Sequence, residues 1–161
     1  MSYGGPNAGT TWTPLAAGLQ GFRCLVPDRI GCGWSRPVDY SVGDFKSLAV
    51  NVLTSVLDGM GIDRVHIAAR SLGGAWALWF GQARPERLDR LVLEGCPAFI
   101  EGMKIPVFMR LLSAPALNRV LTKLQPPSVK STQSIYTQIG HGTAIDRGTI
   151  LDIYYYGVTS L

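Results

Sequence analysis

The sequence predicts an α/β fold, in which a parallel sheet is flanked by helices. Short apolar runs rich in β-branched residues alternate along the chain with segments of helical periodicity, and this order calls for a parallel sheet. Of the 161 residues, 47% are hydrophobic and 16% are charged, against about 25% charged in an ordinary soluble domain. The chain can therefore bury a core.

Proline and glycine residues divide the first part of the chain. Thr13 and Pro14 predict the start of a short helix over 13–20, and an apolar run predicts a strand over 22–26. The Gly- and Pro-rich segment 27–37 predicts a long turn at the end of that strand.

A long amphipathic helix follows this turn. Ser41 and Asp44 resemble a capping box, and apolar residues then recur from 45 to 60 at the spacing of one helical face. Gly59 and Gly61 can end the helix, because glycine tolerates the left-handed conformation at a helix C-terminus.

A strand, a sharp turn and a second helix come next. Residues 65–69 predict a strand, and the segment after it turns and becomes helical up to Pro85. Residues 91–93 predict the following strand. From Pro97 onward the pattern predicts helices that do not join the sheet.

Charge and cysteine content exclude several classes of protein. The net charge of +4 is scattered without a basic run, so nucleic acid is not an expected partner. No apolar stretch is long enough to span a membrane, and the first residues lack the pattern of a secretory signal. Three widely spaced cysteines, an odd number, favour neither disulfides nor a zinc site, and we expect a cytoplasmic protein.

The segment Ala69-Arg70-Ser71-Leu72-Gly73 is G-x-S-x-G with Ala in place of the first Gly, and it lies between a strand and a helix. A sharp turn there raises the Ser71 hydroxyl above the sheet edge and leaves the Leu72 N–H facing a bound oxyanion. Ser71 is therefore the candidate nucleophile. The alternative interpretation is a serine that only caps the helix from Leu72 to Ala83.

Three separated motifs resemble those of the α/β-hydrolase family. Tyr3-Gly4-Gly5-Pro6, followed by Trp12, resembles its H-G-G-P oxyanion loop, with Tyr3 where the family has His. Residues 28–35 resemble its D-x-x-G-x-G-x-S turn, and residues 69–74 resemble its nucleophile elbow. The resemblance covers residues 3–97 well and the rest weakly.

The resemblance implies two portions and an incomplete catalytic set. Residues 1–97 correspond to the hydrolase core and residues 98–161 to a helical cap, within which the chain is expected to end before the strands that deliver acid and base. The backbone N–H of Gly5 is implied as the second oxyanion donor, unless Gly4-Gly5 is simply a flexible chain end. Asp28 is implied to hold its turn by accepting backbone hydrogen bonds two or three residues on.

The acid and base of a serine mechanism have few candidates. Glu94 ends the strand after the nucleophile's helix, where some family members place the acid, although the more usual place is one strand later. The alternative interpretation of Glu94 is an ordinary polar residue at the end of a strand. His141 follows Glu94 in the chain order required of the base, although its segment resembles the cap, where a histidine shapes a pocket or a helix end. His66 lies within a strand and is predicted to be a packed core residue.

The resemblance also implies an apolar pocket for a small apolar substrate. Arg70, Phe108, Met109 and Tyr154 are its candidate lining residues, with a solvated arginine and amphipathic helix packing as the alternatives. Trp76 and Trp79 are predicted to be core.

The sequence thus predicts a serine hydrolase that attacks an ester-like or related bond and forms an acyl-enzyme on Ser71, without metal or cofactor. This chain alone is expected to be nearly inactive, and its incomplete sheet is expected to expose apolar surface and favour self-association or a complementary chain. The alternatives are a non-catalytic ligand-binding or remnant protein, or one half of a split hydrolase.

Overall fold

The computed structural model describes residues 9–36, 44–96, 128–137, 147–152 and 154, and every structural statement below concerns those residues. Its elements in chain order are α1 (Thr13–Gly18), α2 (Phe45–Gly59), β1 (Val65–Arg70), α3 (Leu72–Ala83), β2 (Leu88–Glu94), α4 (Val129–Tyr136) and α5 (Arg147–Asp152). Short 3₁₀ turns lie at Gly9–Trp12 and Pro85–Arg87.

The two described strands pair in parallel and are joined by α3, which packs against both. The pairing runs from Val65 opposite Leu88 to Arg70 opposite Glu94, with one irregularity between Val65 and His66. A parallel pair with a helical crossover confirms the α/β class. The strand expected over 22–26 is a wrong prediction: this segment has no strand assignment, because a groove rather than a hydrogen-bonded ladder separates it from β1.

Helix α2 begins later than the capping-box pattern predicts. Asp44 is itself the N-cap, and its carboxylate accepts from the backbone N–H groups of Lys46 at 3.0 Å and Ser47 at 3.2 Å. A capping box would make Ser41 the cap and would place Asp44 in the first turn of the helix, and this prediction is wrong for Asp44. Ser41 lies outside the described residues. The helix ends at Gly59 as predicted, and Gly61 has the left-handed φ of +64°.

The core lies between the helices α2 and α3 and one face of the sheet. Ile67 and Ala69 of β1 point into it and pack against Leu57, Ala77 and Phe80. Beside them, Phe45 makes edge contacts with the rings of Trp76 and Trp79, at centroid distances of 5.8 and 5.9 Å. Trp76 is buried, and both tryptophans are packed into the core as predicted.

The opposite face of the sheet is open within the described part of the chain. His66 is exposed, and its ring makes an edge contact with Phe22 at a centroid distance of 6.3 Å. Val92, on the same face, is 64% exposed. The prediction that His66 is a core residue is wrong, because α2 and α3 cover only the face with Ile67 and Ala69. The expected exposure of apolar surface is present.

Helices α4 and α5 follow β2 without adding to the sheet, in agreement with the helical prediction for this part of the chain. Ser128 caps α4 through a capping box with Ser131. Helix α5 packs against α4 and against the 3₁₀ turn at Gly9–Trp12, and its Ile150 is buried. None of the described helices is long and apolar enough to cross a membrane.

Candidate active site

Ser71 is the one residue between the end of β1 at Arg70 and the start of α3 at Leu72. Its φ of 51° and ψ of −127° are unusual for a residue with a side chain, and it is the only non-glycine residue with positive φ in the described part of the chain. A residue held in such a sparsely populated region costs about 1–3 kcal/mol, and such strain is concentrated at functional sites. The sharp, strained turn predicted from the small residues around Ser71 is therefore present.

The Ser71 side chain does not cap α3. The residue occupies the N-cap position, but its hydroxyl accepts no hydrogen bond from the first turn of the helix. Instead, the main chain fixes the turn: Ser71 N–H donates to the Glu94 carbonyl at 3.0 Å, and Gly74 N–H donates to the Ser71 carbonyl at 2.9 Å. The alternative interpretation of Ser71 as a capping residue is wrong, and its half-buried hydroxyl has no partner among the described residues.

The first turn of α3 approaches the end of β2 closely. Gly73 and Gly74 are buried, and a Cβ on Gly74 would overlap the Cys96 side chain and lie 3.4 Å from Leu93 Cδ2. Burial raises the pKa of the Cys96 thiol, whose sulfur lies 3.5 Å from the Glu94 carbonyl. A thiol with a raised pKa is a weak nucleophile at neutral pH, so Cys96 acts here as a packing residue. The sequence pattern did not reveal this contact.

Leu72 is the first residue of α3, and the N–H groups of the first helical turn have no acceptor within the helix. The Leu72 N–H also lies at the positive end of the helix dipole. This is the position required of an oxyanion donor. Gly5, the other predicted donor, lies outside the described residues, as do Tyr3 and Gly4. The oxyanion role of both residues stays a prediction.

Asp28 connects its own turn, residues 28–35, to the 3₁₀ turn that begins at Gly9. Its Oδ1 accepts from the N–H of Gly9 at 2.6 Å, and its Oδ2 accepts from the N–H of Trp34 at 2.9 Å. Gly33 has a φ of +57°, and a Cβ there would overlap the Asp28 carboxylate. Asp28 holds the turn as predicted, but through a residue six positions on rather than two or three. It also fixes the segment that follows the predicted oxyanion loop.

Glu94 lies beside Ser71 in the sheet, at the end of the neighbouring strand, as the sequence pattern predicts. Its side chain is 63% exposed, and its Oε1 lies 3.9 Å from the Arg70 Nε. An exposed pair at this distance contributes little to stability. The structure thus brings Arg70 and Glu94 to the same edge as Ser71, and the catalytic role of Glu94 stays a prediction.

The described residues place no histidine beside Ser71. His66 lies five positions earlier on β1, about 16 Å along a strand, too far to take a proton from the hydroxyl. His141 lies outside the described residues, and so do Phe108 and Met109 of the predicted pocket. Tyr154 is described and half-buried.

Comparison with known proteins identifies the family. A family model for the alpha/beta hydrolase fold matches residues 2–116. The chain therefore belongs to the α/β-hydrolase fold family, as the three sequence motifs predicted.

Named relatives in this family are hydrolases. The 2-hydroxy-6-oxononadienedioate/2-hydroxy-6-oxononatrienedioate hydrolase of Cupriavidus pinatubonensis is 39% identical over 121 residues, which are 65% of this chain and 41% of the relative. A Klebsiella pneumoniae hydrolase of the same name is 34% identical over 59% of this chain and 34% of its own length. This chain thus spans less than half the length of these curated relatives.

Solved structures share the fold. The epoxide hydrolase CorEH superimposes with a TM-score of 0.76 at 18% identity, over 99% of this chain and 59% of its own. The carboxylesterase CesB from Bacillus subtilis has a TM-score of 0.64 at 25% identity, over 93% of this chain and 48% of its own. The bonds named for these proteins differ, so the fold alone does not fix the substrate.

Proposed function

We propose that this chain carries the nucleophile and part of the oxyanion site of a serine hydrolase, which attacks an ester-like or related carbonyl to form an acyl-enzyme on Ser71. The observation that carries the proposal is the positive φ of Ser71 in a strand-to-helix turn, combined with a hydroxyl that does not cap the helix. A serine that keeps a strained backbone conformation, and whose side chain does not cap the helix, is a candidate nucleophile.

In this mechanism the hydroxyl oxygen of Ser71 bonds to the substrate carbonyl carbon while a general base takes its proton. The carbonyl oxygen becomes an oxyanion, stabilised by the N–H groups of Leu72 and Gly5. Glu94 is the proposed acid and His141 the proposed base. The mechanism requires no metal or organic cofactor.

The proposed substrate is a small apolar molecule, with Phe108, Met109 and Tyr154 as pocket residues. Arg70 supplies a cation directly before the nucleophile, so a carboxylate on the substrate is compatible with the site. The Cupriavidus relative is named for hydrolysis of a dioate, a substrate with two carboxylates. We therefore include carboxylate-bearing substrates in the proposal.

The proposal also covers the location of the protein, its association and the activity of this chain on its own. All three cysteines are free thiols, which is typical of the cytoplasm. Apolar residues in and beside the sheet are exposed, including Val92 of β2 at 64% and Phe22 at 61%, which supports self-association or a complementary chain. The chain on its own is then expected to turn over esters weakly or not at all, since members of a catalytic triad act as a unit.

A fluorophosphonate probe with mass spectrometry tests the nucleophile. We expect labelling of Ser71 in the wild-type chain, none at that position in Ser71→Ala, and undiminished labelling in Ser55→Ala, which removes an exposed hydroxyl from α2. Hydrolysis of a p-nitrophenyl ester, measured on the same samples, reports turnover. Absence of labelling on protein with a native circular dichroism spectrum would favour the non-catalytic ligand-binding or remnant alternative.

A further inference from the structure

The side chain of Cys96 lies where the strand before Ser71, the helix after it and the neighbouring strand meet. Its sulfur is 3.9 Å from the carbonyl of Ala69, two residues before Ser71, and 3.5 Å from the carbonyl of Glu94. On the helix side, a Cβ on Gly74 would lie 2.9 Å from the Cβ of Cys96 and would overlap its sulfur. One thiol therefore contacts the chain on both sides of the candidate nucleophile and the strand beside it.

The carbonyl of Glu94 serves both Cys96 and the main chain of the turn. The N–H of Ser71 donates to this carbonyl at 3.0 Å, and the same carbonyl is the nearer of the two acceptors within reach of the thiol. Burial is the main cause that raises the pKa of the Cys96 thiol, although nearby backbone N–H groups, those of Ser71 and Gly74 among them, act in the opposite direction. The thiol is therefore protonated at neutral pH, and its S–H is a donor beside the bond that holds Ser71.

The size of the residue at position 96 determines how closely the first turn of α3 approaches the end of β2. Gly74 has no side chain, and the thiol already fills the space in which its Cβ would lie. Leu72, the predicted oxyanion donor, belongs to the same helical turn as Gly74 and directly follows Ser71. A change in this spacing would move the Leu72 N–H relative to the Ser71 hydroxyl, and a misplacement of about 1 Å can cost about a hundredfold in rate.

From these contacts we propose that Cys96 is a positioning residue of the candidate active site, which holds the Ser71 turn and the first turn of α3 at the spacing that nucleophilic attack requires. Cys96 touches no substrate and transfers no proton. Its thiol acts through its volume against Gly74 and through its contact with the carbonyl of Glu94. The effect on the reaction rests on the function proposed above, whereas the effect on the turn does not.

Hydrogen exchange followed by NMR tests the effect on the turn without any measurement of activity. In Cys96→Ala the amide of Ser71 should exchange about tenfold faster than in the wild type, because the turn loses the side chain packed against it. The amide of Ile62, which donates to the Leu57 carbonyl at 2.9 Å near the other end of β1, reports general opening and should be unchanged. Cys24→Ala removes a thiol near α1 and, as the matched control, should leave exchange at Ser71 unchanged.

The rate at which a fluorophosphonate probe labels Ser71 tests the effect on the reaction. Varying the probe concentration separates the maximal rate of labelling from the concentration that gives half of that rate. In Cys96→Ala the maximal rate should fall about tenfold with the half-saturating concentration unchanged, because the defect lies in alignment and not in probe binding. Cys96→Ser keeps a small side chain with a donor, and its maximal rate should stay within about threefold of the wild type.

Moving the bulk across the contact provides a rescue experiment. Gly74→Ala alone should slow the labelling of Ser71, because the added methyl group pushes the first turn of α3 away from β2. The double variant Gly74→Ala/Cys96→Gly transfers volume from the strand to the helix. It should therefore label faster than Gly74→Ala alone, which independent effects of the two substitutions would not produce.

Different results would overturn the two parts of the inference. Unchanged exchange at Ser71 in Cys96→Ala would show that the thiol does not hold the turn, whether or not Ser71 is labelled. Faster exchange with an unchanged maximal rate of labelling would show that the spacing does not affect the reaction, and would refute the positioning role. No labelling of the wild-type chain would contradict the proposed function instead, and the exchange data would still decide whether Cys96 holds the turn.

Discussion

The backbone N–H of Ser71 donates to the carbonyl of Glu94 at 3.0 Å, so the candidate nucleophile is fastened to the last residue of the neighbouring strand. This bond continues the parallel pairing of β1 and β2 by one residue beyond the strand. It is made by the main chain, so the side chain of Glu94 is not needed to hold the turn. The sheet therefore sets the position of Ser71. The backbone conformation of Ser71 is one that glycine adopts readily, because glycine has no side chain.

The first prediction concerns the strain at Ser71. Ser71→Gly should be more stable than Ser71→Ala by about 1 kcal/mol, because glycine adopts the positive φ of 51° without steric cost. Urea unfolding followed by circular dichroism measures the difference. Equal stability of the two variants would mean that the turn relaxes to an ordinary conformation in solution.

The second prediction concerns the close approach of α3 and β2. Gly74→Ala should destabilise the protein by about 1–3 kcal/mol, because the added Cβ overlaps Cys96. Gly59→Ala, where a Cβ meets nothing within 4 Å, is the control and should not destabilise. In a Cys96→Gly background the cost of Gly74→Ala should fall. A cost that is the same in both backgrounds would assign it to the helix rather than to Cys96.

The third prediction concerns Arg87, which joins the end of α2 to the start of β2. Its Nε donates to the Asp63 carbonyl at 2.6 Å, and its Nη2 donates to the Ile62 carbonyl at 2.7 Å. Arg87→Lys should cost about 2 kcal/mol, because an ammonium group cannot reproduce both bonds of the planar guanidinium.

The matched comparison for Arg87 is its ion-pair partner. Asp58 lies 2.9 Å from Arg87 Nη2 but is 57% exposed, so Asp58→Asn should cost less than about 1 kcal/mol. Thermal or urea unfolding of both variants measures the two losses of stability. A larger effect for Asp58→Asn would mean that the ion pair, and not the carbonyl contacts, provides the stabilisation.

Local signals in the sequence predicted much of this fold. The elbow at Ser71 and the end of α2 at Gly59 each depend on residues within a few positions of each other. The sequence pattern was therefore sufficient to predict both. The start of α2 was misplaced because Ser41 and Asp44 are both capping residue types, and only the structure identifies Asp44 as the residue that caps.

Contacts between distant residues could not be predicted from local patterns. The bond from Gly9 to Asp28 joins residues nineteen positions apart, and the Arg70–Glu94 pair depends on the register of the sheet. His66 has the alternation of a strand residue, but whether its face is covered depends on which elements pack there.

The last prediction concerns the pH dependence of α2. The hydrogen bond from the Ser47 hydroxyl, at 2.6 Å, is the main cause that holds the pKa of Asp44 below its ordinary value, followed by the N–H groups of Lys46 and Ser47. Because the pKa is lower in the folded state, this cap stabilises the protein above the ordinary pKa of an aspartate. That contribution is lost as the pH falls through the lowered value.

Ser47→Ala should therefore raise the pKa of Asp44 toward its ordinary value, while the two backbone N–H bonds keep part of the lowering. The side-chain carboxyl signal of Asp44, followed by NMR between pH 2 and 6, measures this shift directly, with Asp44→Asn used to assign the signal. In urea unfolding, both variants should lose less stability than the wild type on acidification. An unchanged pKa of Asp44 in Ser47→Ala would show that the backbone N–H groups alone hold the carboxylate, and the cap would then be independent of the Ser47 hydroxyl.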